Sequence, residues 1–97
     1  MTNEEIWNIG LEERTDELSK LQSEYDRLDV ECRKAEFEKD MYARLRDVNN
    51  AMLYKQKFSE KYEKCARASE KLTKQKNALE NEINVLKKEI YYINSLM

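Results

Sequence analysis

The chain of 97 residues contains a single glycine and no proline. Compact domains reverse direction through turns, and turns draw heavily on these two residue types. Charged residues make up 39% of the chain and the mean hydropathy is −0.98, so apolar surface is too scarce to cover a spherical core. The sequence therefore predicts an all-α protein whose long helices bury a narrow apolar stripe, and it argues against a globular domain.

Apolar residues recur at heptad spacing along two segments, which predicts a coiled-coil seam. The two segments lie two residues out of register. Consecutive spacings of four between Phe37, Met41 and Leu45 mark a stutter between them. We predict that the seam forms a dimer interface of Leu11, Leu18, Leu21, Tyr25, Leu28, Cys32, Ala35, Phe58, Tyr62, Cys65, Leu72, Leu79, Ile83, Leu86, Ile90 and Ile93. The spacing also assigns Met97 to the seam.

The same patterns divide the chain into four segments. Residues 1–10 form an N-terminal lead-in, and residues 11–42 form an acidic heptad segment. Residues 43–57 form the register-shift zone, and residues 58–97 form a basic and then zipper-like coiled coil. Thr2 and Glu5 have the spacing of a reciprocal capping box, which predicts a helix start.

The strongest seam predicts an elongated parallel two-stranded coiled coil made by two copies of the chain. Branched residues at Ile83 and Ile90 on a positions, with leucines on d positions, are typical of parallel dimers. The alternative is an antiparallel helical hairpin or bundle that turns at Asn49-Asn50, with Asn50 capping a second helix. Because neither glycine nor proline stands at that corner, we expect one unbroken helix of roughly 140 Å.

The C-terminal segment also suggests one family likeness. The run Leu-Glu-Asn-Glu-Ile-Asn-Val-Leu-Lys-Lys, residues 79–88, resembles the leucine zippers of basic-zipper transcription factors. This resemblance implies a basic helix upstream that reads DNA. Residues 55–76 carry eight bases against three acids, but Arg67 is the only arginine there and Phe58 and Tyr62 occupy seam positions. We therefore do not expect nucleic acid as a partner, and a nucleic-acid-binding zipper stays an alternative.

Several classes of site lack the residues that they need. The chain has no histidine, and its two cysteines, Cys32 and Cys65, lie too far apart in sequence for a zinc site. A lone Gly10 cannot build a phosphate-binding loop. We predict no enzyme, no cofactor and no metal.

The sequence also predicts the compartment. No apolar run is longer than residues 51–54, which fall far short of the ~20 residues that span a bilayer, and we find no secretory signal. Two cysteines without such a signal favour a reducing setting. We expect no membrane span and an intracellular, cytoplasmic or cytoskeletal location.

Candidate partner-binding residues are aromatic, apolar and basic side chains of the middle of the chain. They are Phe37, Met41, Tyr42, Met52, Tyr54, Lys57, Lys61, Lys64, Arg67, Lys71 and Lys74. The apolar members either weaken the seam packing or form a collar that receives another protein. The basic members form an outward stripe, which is either a solvated face or a docking site for an acidic protein tail, an anionic membrane or a second coiled coil.

These features together predict a structural or scaffold segment. We expect it to mediate homodimerisation and binding to another protein, in a cytoskeletal, centrosomal, kinetochore or vesicle-tethering assembly. The alternative is a regulatory binding module whose central aromatic zone binds a partner protein.

Overall fold

A computed structural model describes residues 1–96 and shows an all-helical chain, which confirms the all-α part of the predicted fold class. Helix α1 spans Asn3–Val48 and helix α2 spans Met52–Leu96. The expected single unbroken helix is wrong, because residues 49–51 interrupt it. The predicted seam position Met97 lies outside the described residues.

Local hydrogen bonds explain where α1 begins. The backbone N–H of Glu5 donates to Thr2 Oγ1 at 3.2 Å, and the backbone N–H of Thr2 donates to Glu5 Oε2 at 3.4 Å. This reciprocal pair is the predicted capping box, and it satisfies N–H groups that have no partner inside the helix.

Ion pairs four residues apart support both helices along their lengths. Each pair places an acid one turn before a base, the favourable orientation for a helix. The pairs are Asp29–Arg33, Asp40–Arg44, Glu63–Arg67 and Glu70–Lys74, with N–O distances of 3.1–3.7 Å.

The loop between the helices is built on Asn49 rather than on the predicted cap Asn50. Asn49 Oδ1 accepts a hydrogen bond from the backbone N–H of Ala51 at 3.2 Å. The carbonyl of Ala51 in turn accepts from the N–H of Lys55 at 3.0 Å and starts α2. None of the residues described has a positive φ, so this corner does not require the conformations that favour glycine.

The two helices contribute to two compact units. Unit 1 consists of Met1–Arg27 and Asn77–Met97, and unit 2 consists of Leu28–Lys76. In unit 2, residues 29, 32, 36 and 38 of α1 contact residues 76, 73, 69 and 65 of α2. Residue numbers rise along one helix as they fall along the other, so unit 2 is a hairpin whose two helices run in opposite directions.

The cores of the two units differ in chemistry. In unit 1 the most buried side chains are Ile83 and Leu86, at 5% and 8% exposed. In unit 2 the polar Ser69 is as buried as the apolar Leu28, each at 4% exposed. No side chain in the described part of the chain is fully buried, so packing between two helices leaves every core residue near the surface.

Candidate interaction surfaces

The predicted dimer-interface residues all lie on the covered side of their helices. Leu28, Cys32, Ala35, Ile83 and Leu86 are buried, and the other eleven residues of the predicted dimer interface are half-buried. Within one chain the covering element is the other helix of the same unit. The heptad pattern therefore located the apolar face, while the structure supplies a covering helix from the same polypeptide.

A charged pair crosses the seam of unit 2. Lys76 Nζ lies 2.6 Å from Asp29 Oδ1, and both side chains are about three-quarters covered, at 25% and 26% exposed. Arg33 contacts the second oxygen of the same carboxylate at 3.2 Å. The hydrogen bond from Lys76 lowers the pKa of Asp29, against an opposing effect of desolvation. Lys76, which lies on the seam, thus has a specific acceptor on the facing helix.

Two further contacts make this seam polar. Ser69 Oγ donates a hydrogen bond to Glu36 Oε1, and this bond lowers the pKa of the Glu36 carboxyl. Cys65 Sγ lies 3.9 Å from Glu38 Oε2. Desolvation, and then the negative charge of Glu38, raise the pKa of the Cys65 thiol. Such groups favour one register, since sliding the helices would separate them.

The aromatic candidates divide into covered and exposed groups. Tyr42 stacks on Phe58 with ring centroids 6.3 Å apart, and Lys61 Nζ lies 5.4 Å from the Tyr42 ring. Arg46 lies over the Tyr62 ring at 5.1 Å. Tyr42 and Lys61, which we predicted to bind a partner, therefore take part in contacts between α1 and α2.

The remaining apolar candidates lie on the surface, except for the half-buried Met41. Phe37 is 67% exposed on the outer side of α1. Met52 and Tyr54 belong to a larger exposed group beside the loop, which we name the apolar tip. Its members are Val48, Met52, Leu53 and Tyr54, at 76%, 82%, 73% and 53% exposed.

The basic stripe of α2 is exposed at all six predicted positions, which are Lys57, Lys61, Lys64, Arg67, Lys71 and Lys74. Two of the six have acidic neighbours on their own helix. Arg67 lies 3.7 Å from Glu63, and Lys74 lies 3.5 Å from Glu70. Part of the stripe is therefore neutralised locally.

Sequence reasoning missed a groove in unit 1, which we name the acidic groove. It encloses about 540 Å³ between α1 and α2. Its lining combines carboxylates with apolar side chains, namely Glu17, Leu21, Asn81, Glu82, Val85, Leu86 and Glu89. Val85 is 55% exposed there. No single stretch of sequence signals this groove, because Glu17 and Leu21 come from α1 and its other lining residues come from α2.

A surface of the opposite charge lies on the part of α1 that belongs to unit 2. We name this surface the basic face. It consists of Val30, Arg33, Lys34 and Phe37, whose spacing places them on one side of a helix. All four are exposed. The apolar members are 66% and 67% exposed, unusually high for a valine and a phenylalanine.

The two units carry opposite net charge. Unit 1 contains eleven acids against five bases, a net of −6. Unit 2 contains nine acids against thirteen bases, a net of +4. These sum to the net charge of −2 for the chain.

Groups of three or more metal-ligating side chains are absent from the described residues. Neither helix contains an apolar stretch that would cross a bilayer, judged over the described residues. Comparisons with protein-family models, curated proteins and solved structures find no match to this chain.

Proposed function

We propose that the chain is a structural scaffold element that associates with a second copy of itself and offers its remaining exposed surface to other proteins. The opposite charge of the two units is the observation that carries this proposal. In the proposed dimer, unit 1 of each copy lies against unit 2 of the other. Two equivalent contacts related by a twofold axis close such a pair.

The acidic groove and the basic face are complementary in detail. Val30 and Phe37 supply apolar side chains for the apolar floor of the groove. Arg33 and Lys34 lie between them in sequence, where their charges reach the rim carboxylates Glu17 and Glu82. A helix whose anchors lie at positions i, i+3, i+4 and i+7 is a common way to fill a groove between helices.

Incomplete burial inside one chain supports the same proposal. Two helices alone leave no described side chain fully buried, and small cores of this kind gain stability from oligomerisation. A dimer would cover Val30, Phe37 and Val85 without disturbing the seam contacts. Each apolar side chain covered contributes about 1–2 kcal/mol, which offsets part of the entropic cost of association.

The setting that we propose is the one predicted from the sequence: an intracellular assembly of the cytoskeletal, centrosomal, kinetochore or vesicle-tethering kind. Two free thiols support a reducing compartment. Cys32 Sγ lies 3.7 Å from Thr73 Oγ1, and Cys65 lies beside Glu38, so the two thiols face polar groups and not each other.

Charge reversal tests the dimer through its mass in solution. We expect sedimentation equilibrium to give a dimer for the wild type at low salt, and a weaker dimer as salt rises. E17K/E82K and R33E/K34E should each shift the protein towards monomer, because like charges then meet at both contacts. Circular dichroism verifies that both variants remain helical. E12K/D16K is the matched control, since it reverses the same charge on exposed residues outside the groove.

Mixing the two reversed variants gives the decisive result. In a mixed pair the lysines of one variant meet the glutamates of the other, and the second contact keeps its wild-type charges. We therefore expect the mixture to form dimers that neither variant forms alone. A wild type that remains monomeric at high micromolar concentration would refute self-association. Dimers that survive both reversals would instead refute the proposed faces.

A parallel dimer formed through residues 72–97 is the second candidate. It is favoured by Ile83 and Ile90 on a positions and by the attraction between Glu82 of one chain and Lys87 of the other. In that dimer the hairpin opens and each cysteine meets its own copy. Mild oxidation should then produce 32-to-32 and 65-to-65 crosslinks, which the dimer of closed hairpins does not allow.

A further inference from the structure

The apolar tip has an unusual geometry at the start of α2. Met52, Leu53 and Tyr54 are consecutive, and consecutive residues of a helix point about 100° apart around its axis. Each is nevertheless more than half exposed, as is Val48 at the end of α1. Helix α1 therefore leaves most of this first turn uncovered. Apolar side chains occupy three of the four directions around the turn, and the exposed Lys55 occupies the fourth.

Basic residues follow the tip directly. Lys55 at the end of the first turn of α2 and Lys57 in its second turn are both exposed. Residues 44–57 contain four bases and one acid, and that acid, Asp47, already lies 3.3 Å from Arg46. The apolar turn is thus bordered by positive charge on the side of the hairpin body.

We propose that the apolar tip inserts into the surface of an anionic phospholipid bilayer. A protein groove accepts a stripe along one side of a helix, with anchors three and four residues apart. No such stripe continues here, because residues 55–57 are polar. A fluid bilayer, in contrast, surrounds an inserted turn from every direction.

The order of residue types matches the layers of such a membrane. Met52 and Leu53 enter the acyl region, and the Tyr54 ring lies at its boundary with the headgroups. Lys55 and Lys57 then reach the anionic headgroups. The loop tolerates shallow insertion because Asn49 Oδ1 already accepts the N–H of Ala51.

Co-sedimentation with vesicles tests this proposal. We expect the full chain to bind vesicles of mixed phosphatidylcholine and phosphatidylserine, and to bind pure phosphatidylcholine vesicles more weakly. M52S/L53S should lower partitioning at least about tenfold, because both inserted side chains lose their apolar transfer energy. K55E/K57E should lower binding to the anionic vesicles by a similar factor or more and leave binding to neutral vesicles almost unchanged.

The control variant replaces exposed aromatic residues that lie far from the apolar tip in sequence. Tyr91 and Tyr92 are 77% and 63% exposed, so Y91S/Y92S removes comparable apolar surface from unit 1. It should bind anionic vesicles like the wild type. Absence of binding, or equal loss in this control and in M52S/L53S, would overturn the proposal.

Fluorescence locates the inserted residue independently. The chain has one tryptophan, Trp7, in unit 1. In the variant W7F/L53W, emission should shift to shorter wavelength when anionic vesicles are added, because the indole leaves water. Trp7 of the wild type should show no such shift. An unshifted L53W emission on sedimenting protein would show that another surface binds, and would refute tip insertion.

Discussion

Lys76 of α2 donates a hydrogen bond to Asp29 of α1 across the seam of unit 2, with 2.6 Å between Nζ and Oδ1. The carboxylate also contacts Arg33 one turn further along its own helix. A lysine on an apolar seam is costly when it has no acceptor, and it specifies register when it has one. This contact therefore fixes which residues of the two helices face each other.

Acid should weaken unit 2 through this carboxylate. The pKa of Asp29 is below its ordinary value in the folded chain, so the ionised form stabilises the fold at neutral pH. That contribution is lost over an acidic window that begins near the ordinary pKa of an aspartate and extends down through the lower folded pKa. Urea denaturation, monitored by circular dichroism, should show that the free energy of unfolding falls less over this window for D29N than for the wild type. D40N, which alters an exposed pair within α1, should leave the acid dependence close to that of the wild type.

Ile83 should contribute more to stability than a valine on the surface. It is 5% exposed and lies on the seam of unit 1, whereas Val48 is 76% exposed. We expect Ile83→Ala to lower the free energy of unfolding by roughly 2–3 kcal/mol. Val48→Ala should change it by no more than about 0.5 kcal/mol. Equal effects in urea denaturation would show that α1 does not cover Ile83 in solution.

Replacement of Gly10 should stabilise the chain. Gly10 lies inside α1 without a positive φ, and a Cβ atom built there would meet only Arg14 Nη1, at 3.4 Å. Gly10→Ala should therefore raise the free energy of unfolding by about 1 kcal/mol, the difference in helix propensity. Ala78→Gly, at an exposed site in α2, should lower it by a similar amount. A destabilised Gly10→Ala would indicate that Arg14 cannot adjust.

The thiol of Cys65 should react slowly at neutral pH. Desolvation and the charge of Glu38 raise its pKa, which leaves little of the reactive thiolate. In a Cys32→Ser background, alkylation by iodoacetamide should be slower for the folded chain than for the chain in urea. Glu38→Gln should speed the folded reaction, because it removes the nearby negative charge. Unchanged kinetics in Glu38→Gln would argue against contact between these two residues.

Local sequence patterns were sufficient for the helices and for their covered faces. The capping box at Thr2 and Glu5 needs only residues three apart, and the heptad spacing that selects Ile83 and Leu86 needs only one helix. Both signals lie within a few turns of chain. They could therefore be interpreted without knowing what packs against the helix.

Longer-range features were left open or missed, because several corners and partners are compatible with the same heptad pattern. A turn at Asn49-Asn50 was the alternative to the expected unbroken helix, and the acidic groove was not predicted. The turn at residues 49–51 depends on one side-chain hydrogen bond from Asn49, which propensity alone does not reveal. The acidic groove combines Glu17 of α1 with Glu82 of α2, residues brought together only by folding. Such sites have no signature in a single stretch of sequence.

The sequence by itself determined that this protein is helical and which side of each helix is apolar, since helix periodicity is a local property. Only the tertiary structure decided that the two halves of one chain cover each other in each unit. The physical reason is that burial of apolar surface is non-directional. It stabilises any helix that covers the seam, and the Asn49 corner and the contact between Asp29 and Lys76 select the covering helix from the same chain.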